Sequence, residues 1–203
     1  IRHSEKMFIM KRLLLILILT ISFQSLTRAD NIRDFEIEGI SIGDSLLDFY
    51  SENEIKNSID KLQSDNDYSV TLISKNFDEY DAMEFHYKTN DKSYIIEGIA
   101  GGLFFQNDFN KCLKKQTEVT ESIKNSLNLK TESYYDEIIH PLDPSGKSKV
   151  YRYSFMLNTN SKFYEIGISC FNFSKEIENK GYTDNFNIII NSDKYNKHLS
   201  STQ

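Results

Sequence analysis

Four groups of residues in this chain have types and spacings that could do chemistry. Two are serine motifs that overlap at one glycine, Gly39-Ile-Ser41-Ile-Gly43 and Gly43-Asp44-Ser45-Leu46. A serine hydroxyl becomes a nucleophile only with a base to take its proton and an acid to orient that base. The histidines that could serve are His86 and His140, both in strand-like surroundings. The third group is Cys112 and Cys170, the only two thiols. The fourth is a pair of acidic turns, Asp65-Asn-Asp67 and Asp78-Glu-Tyr-Asp81, whose carboxylates have the charge to attract a cation.

Each group is weighed against its surroundings. Gly-x-Ser-x-Gly marks a nucleophile elbow when several strands of a large parallel sheet precede it. Counting from Asp30, only nine residues precede Gly39, so Gly39 and Gly43 read as turn glycines. Gly43-Asp44-Ser45-Leu46 resembles the first motif of the GDSL, or SGNH, hydrolases. That resemblance implies a nucleophilic Ser45 just after the first strand, with its base in a late Asp-x-x-His. The nearest match here is Glu137-Ile-Ile-His140. The Gly-x-Asn-Asp that supplies an oxyanion donor in that family is reduced to Asn107-Asp108 without the glycine. The first strand also alternates with Glu36 and Glu38, whereas a central parallel strand is apolar throughout. A serine esterase using Ser45 with His140 therefore stands as the alternative reading. The plainer one is a strand-to-helix turn capped by Asp44 and Ser45.

His86 alternates with Glu84 and Lys88 and is expected on a solvated face; His140, before Pro141, is expected in a turn. Neither acidic turn continues into a calcium loop, because position six is not Gly and position twelve is not Glu. No metal site and no cofactor are expected. Cys112 falls on the apolar stripe of a helix and Cys170 on the apolar face of a strand, so a disulfide forms if that helix packs on that sheet. The alternative is two buried thiols acting as small hydrophobes. A redox role lacks its Cys-x-x-Cys.

Export is written at the start of the chain. Lys11 and Arg12 precede the apolar run Leu13 to Phe23, too short to span a bilayer, and Thr27-Arg28-Ala29 ends in small residues. A Sec-type bacterial signal cleaved between Ala29 and Asp30 is expected. No cysteine follows it to carry a lipid, and an uncleaved anchor is the second possibility. Residues 1–29, upstream residues plus signal, are set aside from the fold. The rest, 30–203, is read as a single globular domain, with the polar residues from Lys194 to Gln203 as a frayed tail.

The whole chain carries 24 basic and 30 acidic residues. Removing the five basic residues and one acidic residue of 1–29 leaves 19 and 29, a net charge of −10 for 30–203. Such a surface repels phosphate backbones and anionic lipid, so nucleic acid is not an expected partner, and membrane contact is expected only through the signal segment before cleavage. Trp is absent, so no indole is available to form a flat sugar platform.

The elements that must position these residues follow from periodicity. Phe35 to Ile40 reads as a short strand, and Asp44 or Ser45 caps a short helix through Tyr50. Ser51-Glu52-Asn53-Glu54 fits a capping box, with Ile55, Ile59 and Leu62 on one helical face. Strands are expected at 68–74 and 83–87, then an Asn90-Asp91 hairpin into 94–99, with a bulge or bend at Gly98, Gly101 and Gly102. The clearest helix runs from Asp108 to Leu127, with Phe109, Cys112, Leu113, Val119, Ile123 and Leu127 on one stripe. Strands at 134–140, 151–157, 164–170 and 186–190 complete the chain. Hairpins dominate, which favours antiparallel pairing. The fold class expected is α+β, an antiparallel sheet with one long amphipathic helix packed on a face and short N-terminal helices.

The segment Phe35 to Tyr50, together with the signal and Gly101-Gly-Leu-Phe-Phe105 up to Cys112, resembles uncharacterised exported proteins of AT-rich marine bacteria. That resemblance implies a periplasmic location and carries no activity. The expectation is an exported periplasmic or secreted, non-enzymatic binding or envelope-accessory protein. Its partner would be an envelope protein or a small ligand.

Overall fold

The computed structural model describes residues 32–202 apart from 76, 107, 128–130 and 160–161. The signal and the Ala29–Asp30 cleavage position lie outside the described residues. Seven strands form one antiparallel sheet: β1 (Tyr68–Ile73), β2 (Ala82–Lys88), β3 (Gly98–Phe104), β4 (Glu132–Ile139), β5 (Lys149–Thr159), β6 (Lys162–Asn172) and β7 (Asn185–Asn191). Their order is β1-β2-β3-β7-β6-β5-β4, so β7, last in sequence, lies at the centre. Among the described residues four α-helices accompany it: α1 (Glu52–Asn57), α2 (Phe109–Ser126), α3 (Lys175–Glu178) and α4 (Asp193–Thr202).

The topology explains why one helix must be long. The chain leaves β3 and re-enters the sheet at β4, four strand spacings away, about 19 Å. The 18 residues of α2 make a helix about 27 Å long, enough for that crossing. Its buried residues are Cys112, Gln116, Thr120 and Ile123. The buried line thus differs from the expected apolar stripe by two polar residues. Gln116 is accommodated because its amide donates to the Tyr151 and Ile168 carbonyls at 2.6 and 2.9 Å. A bond between Cys112 and Cys170, Cα–Cα 5.9 Å, joins α2 to β6.

One continuous apolar core lies on this side of the sheet. It contains Met83, Phe85, Tyr87, Ile99, Phe155, Ile166, Ile168, Phe186, Ile188 and Ile190, with Ile32, Ile37, Ile40, Ile42, Leu46 and Ile55 of the N-terminal segment closing over it.

Five expectations about elements are corrected. Phe35–Ile40 is not a strand. Ile37 and Ile40 exchange both backbone hydrogen bonds across a two-residue turn, and Glu38 and Gly39 have φ of +54° and +74°. Two positive φ values in succession make this a tight hairpin turn of the primed type. The helix begun by Ser51 keeps its capping box but stops at Asn57. The Asp60 amide donates to the Val70 carbonyl and the Leu72 amide to the Ser58 carbonyl, so the chain is drawn along the edge of β1, and Leu62 is 97% exposed. The return from the Asn90-Asp91 turn enters the sheet at Gly98 rather than Tyr94, because Tyr94 and Ile96 pair with Asp44 and Leu46 instead. Gly98, Gly101 and Gly102 lie within regular β3, not in a bulge. A Cβ on Gly101 would sit 2.8 Å from the Tyr80 ring, and one on Gly98 2.9 Å from Tyr195, so side-chain approach is what excludes one there.

The fifth correction concerns the C-terminus. Asp193 to Thr202 is a helix, not a frayed tail, and its Tyr195 and Asn196 are buried. It covers the second face of the sheet near β1 to β3. Ser192 Oγ accepts from the Tyr195 amide at 3.2 Å and donates to buried Glu97, which also pairs with Lys194.

Candidate functional site

The serines are engaged in structure. Ser41 is buried, and its Oγ donates to the Arg33 and Phe35 carbonyls, tying the N-terminal segment to the turn that follows. Ser45 is the N-cap of a short 3₁₀ turn, Leu46–Asp48: its Oγ accepts from the Leu47 amide and donates to the Ser93 carbonyl at 2.6 Å. Asp44 accepts from the Ser41 amide. Ser45 caps a turn, as in the plainer reading of Gly43-Asp44-Ser45-Leu46, but among the described residues no strand leads into it, and Asp44 closes the Ser41 turn instead of capping a helix.

His140 lies beside the far edge of the sheet. It follows β4, packs against Phe171 and Phe173, and its Nδ1 accepts from the Leu142 amide. Burial pushes its pKa down, against the pull of Asp143. Ser45 pairs with Ile95 beside β3, so about four strand spacings, 19 Å, separate it from His140. The fold does not bring the two together. His86 is buried, against expectation: its Nδ1 is 2.7 Å from Tyr195 Oη, and Nε2 is 2.8 Å from Glu84 but out of hydrogen-bond alignment. The helix over the second sheet face removes the solvent that alternation alone implies.

Both acidic turns are tied into the fold. Asp65 accepts from the Asp67 and Tyr68 amides and pairs with His198 at 2.7 Å. The amides of Asp78, Glu79 and Tyr80 all donate to the Glu38 carboxylate, at 2.7 to 3.1 Å. Burial works to raise the Glu38 pKa, but these three donors hold it below its ordinary value. Among the described residues no group of three or more His, Cys, Asp or Glu side chains converges to hold a metal ion.

That Glu38 grip shapes a concave feature among the described residues that suits a small ligand. The turn at Glu38-Gly39 holds the 78–80 loop so that the Tyr80 ring packs against Gly101. Between this loop, the segment from Asp34 to Ile37 and α2 opens a cleft of about 290 Å³. Its floor is Ile166, Ile188 and Ile190 of β6 and β7. The α2 wall gives Val119, Ser122, Ile123 and Ser126, and the rim carries Asp34, Glu36 and Glu79. Burial, with the nearby carboxylates of Glu79 and Glu38, pushes the Tyr80 hydroxyl up to about 12, so it is a neutral donor at physiological pH. The cleft can hold an apolar body and offer acceptors around its mouth. None of its lining residues is a histidine, cysteine or lysine that could act as base or nucleophile at neutral pH.

Neither Glu38 nor Tyr80 stood out in the sequence as a site residue. The Glu38-Gly39 pair in a run of apolar residues is the signal that, in retrospect, marks the turn. No family model, no curated protein and no solved structure matches this chain. No helix among the described residues is long and apolar enough to cross a membrane. The Cys112–Cys170 bond fits an oxidising compartment.

Proposed function

We propose that this chain is an exported binding protein without catalytic activity, acting in a bacterial periplasm or outside the cell, and that it holds a small ligand in the cleft between α2 and the Asp34–Ile37 segment. The observation that carries this reading is the cleft itself: a floor of three isoleucines and a polar mouth, at the small end of ligand sites, which run from about 300 Å³. The commitment of Ser41 and Ser45 to backbone partners and the distance of His140 support a non-enzymatic role. The disulfide supports export, and the acidic composition speaks against nucleic acid. The test is a methyl NMR titration with six-carbon probes that are cationic, neutral or anionic. Shifts confined to the methyls of Ile166, Ile188, Ile190 and Val119 are expected. A panel that moves none of them at millimolar concentration, or covalent capture of Ser45 by a fluorophosphonate, would sink the reading.

A further inference from the structure

The lining of the cleft is more selective than its shape. Its charged side chains are Asp34, Glu36 and Glu79, all acidic. Glu36 is exposed and makes no hydrogen bond or ion pair among the described residues, so its charge is available to a ligand. Among the described residues the Glu79 carboxylate is paired with Lys115 at 3.9 Å, a contact long enough to yield to a closer cation. Phe35 and Tyr80 line the same cleft, and aromatic ring faces attract cations. Below them the surface turns to isoleucine. Carboxylates and aromatic faces over an apolar floor form a gradient from charge to hydrocarbon, and one molecule fits both ends.

Resting on the binding reading above, we propose that the ligand class of this cleft is an organic ammonium ion with a short apolar body. The positive head sits between Glu36 and Glu79 against Phe35 and Tyr80, and the hydrocarbon lies over Ile166, Ile188 and Ile190. The carboxylates reject a carboxylate or phosphate ligand of the same length, since like charge at the mouth opposes entry. A neutral alcohol keeps the floor contacts and loses those of the head.

The deciding experiment compares hexylammonium, 1-hexanol and hexanoate on isoleucine-methyl-labelled protein. Hexylammonium is expected to bind about tenfold tighter than 1-hexanol, the combined size of a partly exposed ion pair and a cation–π contact. Hexanoate is expected to bind more weakly than either. The Glu36→Gln/Glu79→Gln variant should bring hexylammonium within about twofold of 1-hexanol while leaving 1-hexanol unchanged. Both side chains are on the surface, and spectra of the free variant report whether the fold is intact. Equal binding of hexylammonium and 1-hexanol to the native protein overturns the cation assignment and leaves the cleft as a neutral site. Absence of binding by all three overturns the cleft reading together with it. A preference for hexylammonium that survives in the double variant also overturns the assignment, because the two carboxylates would not be its source.

Discussion

Replacing Tyr195 with phenylalanine removes one oxygen, and the cost follows from where that oxygen lies. Its partner, His86 Nδ1, is in the buried layer between β2 and α4, with the two rings 4.6 Å apart and the Tyr68 ring tilted against Tyr195 at 4.9 Å. Tyr195→Phe keeps the ring packing but leaves a buried nitrogen without a partner, which costs about 1–3 kcal/mol. Urea unfolding of the variant should show that loss, with less in the His86→Leu/Tyr195→Phe double variant, where no polar atom is left behind. A Tyr195→Phe protein as stable as the native chain would mean that this hydrogen bond is replaced by water. The same pair marks what residue patterns do and do not reveal. Alternation with Glu84 and Lys88 correctly puts His86 on the face opposite Phe85, because strand side chains have a period of two. It does not say whether that face is wet. That depends on α4, more than a hundred residues later, whose lone large apolar groups among lysines and serines give little helical signal. Both misjudgements have one cause: a polar helix whose docking rests on Tyr195, Ser192 and Glu97 rather than on an apolar stripe.

At the scale of elements, strands with strict alternation were legible. The stretches 151–157 and 164–170 became β5 and β6, paired from Lys149↔Asn172 to Thr159↔Lys162. Segments near the N-terminus were not legible, because their pairing is decided by competition between distant partners. Ile59 suits a helix face and equally an edge contact with Thr71, and the sheet edge prevails. That choice leaves the two edges of the sheet unlike each other. β1 is covered by the 58–60 segment, whereas β4 has no neighbour beyond it among the described residues. The His140 amide donates to the Ser148 carbonyl, and antiparallel ladders bond alternate residues. Residues 132, 134, 136 and 138 therefore bond to β5, while Ser133, Tyr135, Glu137 and Ile139 turn their amides outward. Amide exchange of the intact protein should divide β4 accordingly, with fast exchange at 133, 135, 137 and 139 and protection at 134, 136 and 138. Uniform protection along β4 would reveal a partner strand. The edge is guarded by charge: Asp136 pairs with Arg152 and Glu137 with Lys149, so a pairing strand must work around two ion pairs. Exposed Tyr134, Tyr135 and Ile139 make that guard necessary.

At the scale of the molecule, the Cys112–Cys170 bond decides how the parts are held together. It closes a loop of 58 residues that contains most of α2 and all of β4 and β5, the whole outer wing of the sheet. It also fixes the α2 wall of the cleft to β6, the strand that supplies Ile166 to the floor. The sequence allowed this bond through phase alone, since Cys112 and Cys170 each face the core, but two buried thiols had the same pattern. What separates the two outcomes is the path of α2 across β7 and β6, which follows from strand order and not from local periodicity. Cross-linking a loop of this length removes unfolded-state entropy worth about 4 kcal/mol. Reduction under native conditions should lower the unfolding free energy by about that amount, measured by urea titration with and without reductant, and Cys112→Ala/Cys170→Ala should match the reduced protein. A change below about 1 kcal/mol together with two titratable thiols in the unreduced protein would mean that the cysteines are not bonded, and the structural support for an oxidising compartment would go with it. Because α2 is both wall and tether, the same reduction should also weaken binding in the cleft by more than loss of the folded fraction accounts for. Titrating the native and reduced proteins at a temperature where both stay folded separates the two effects. If affinity is unchanged there, the rest of the α2 interface, Gln116 and Ile123 included, holds the wall in place without the bond.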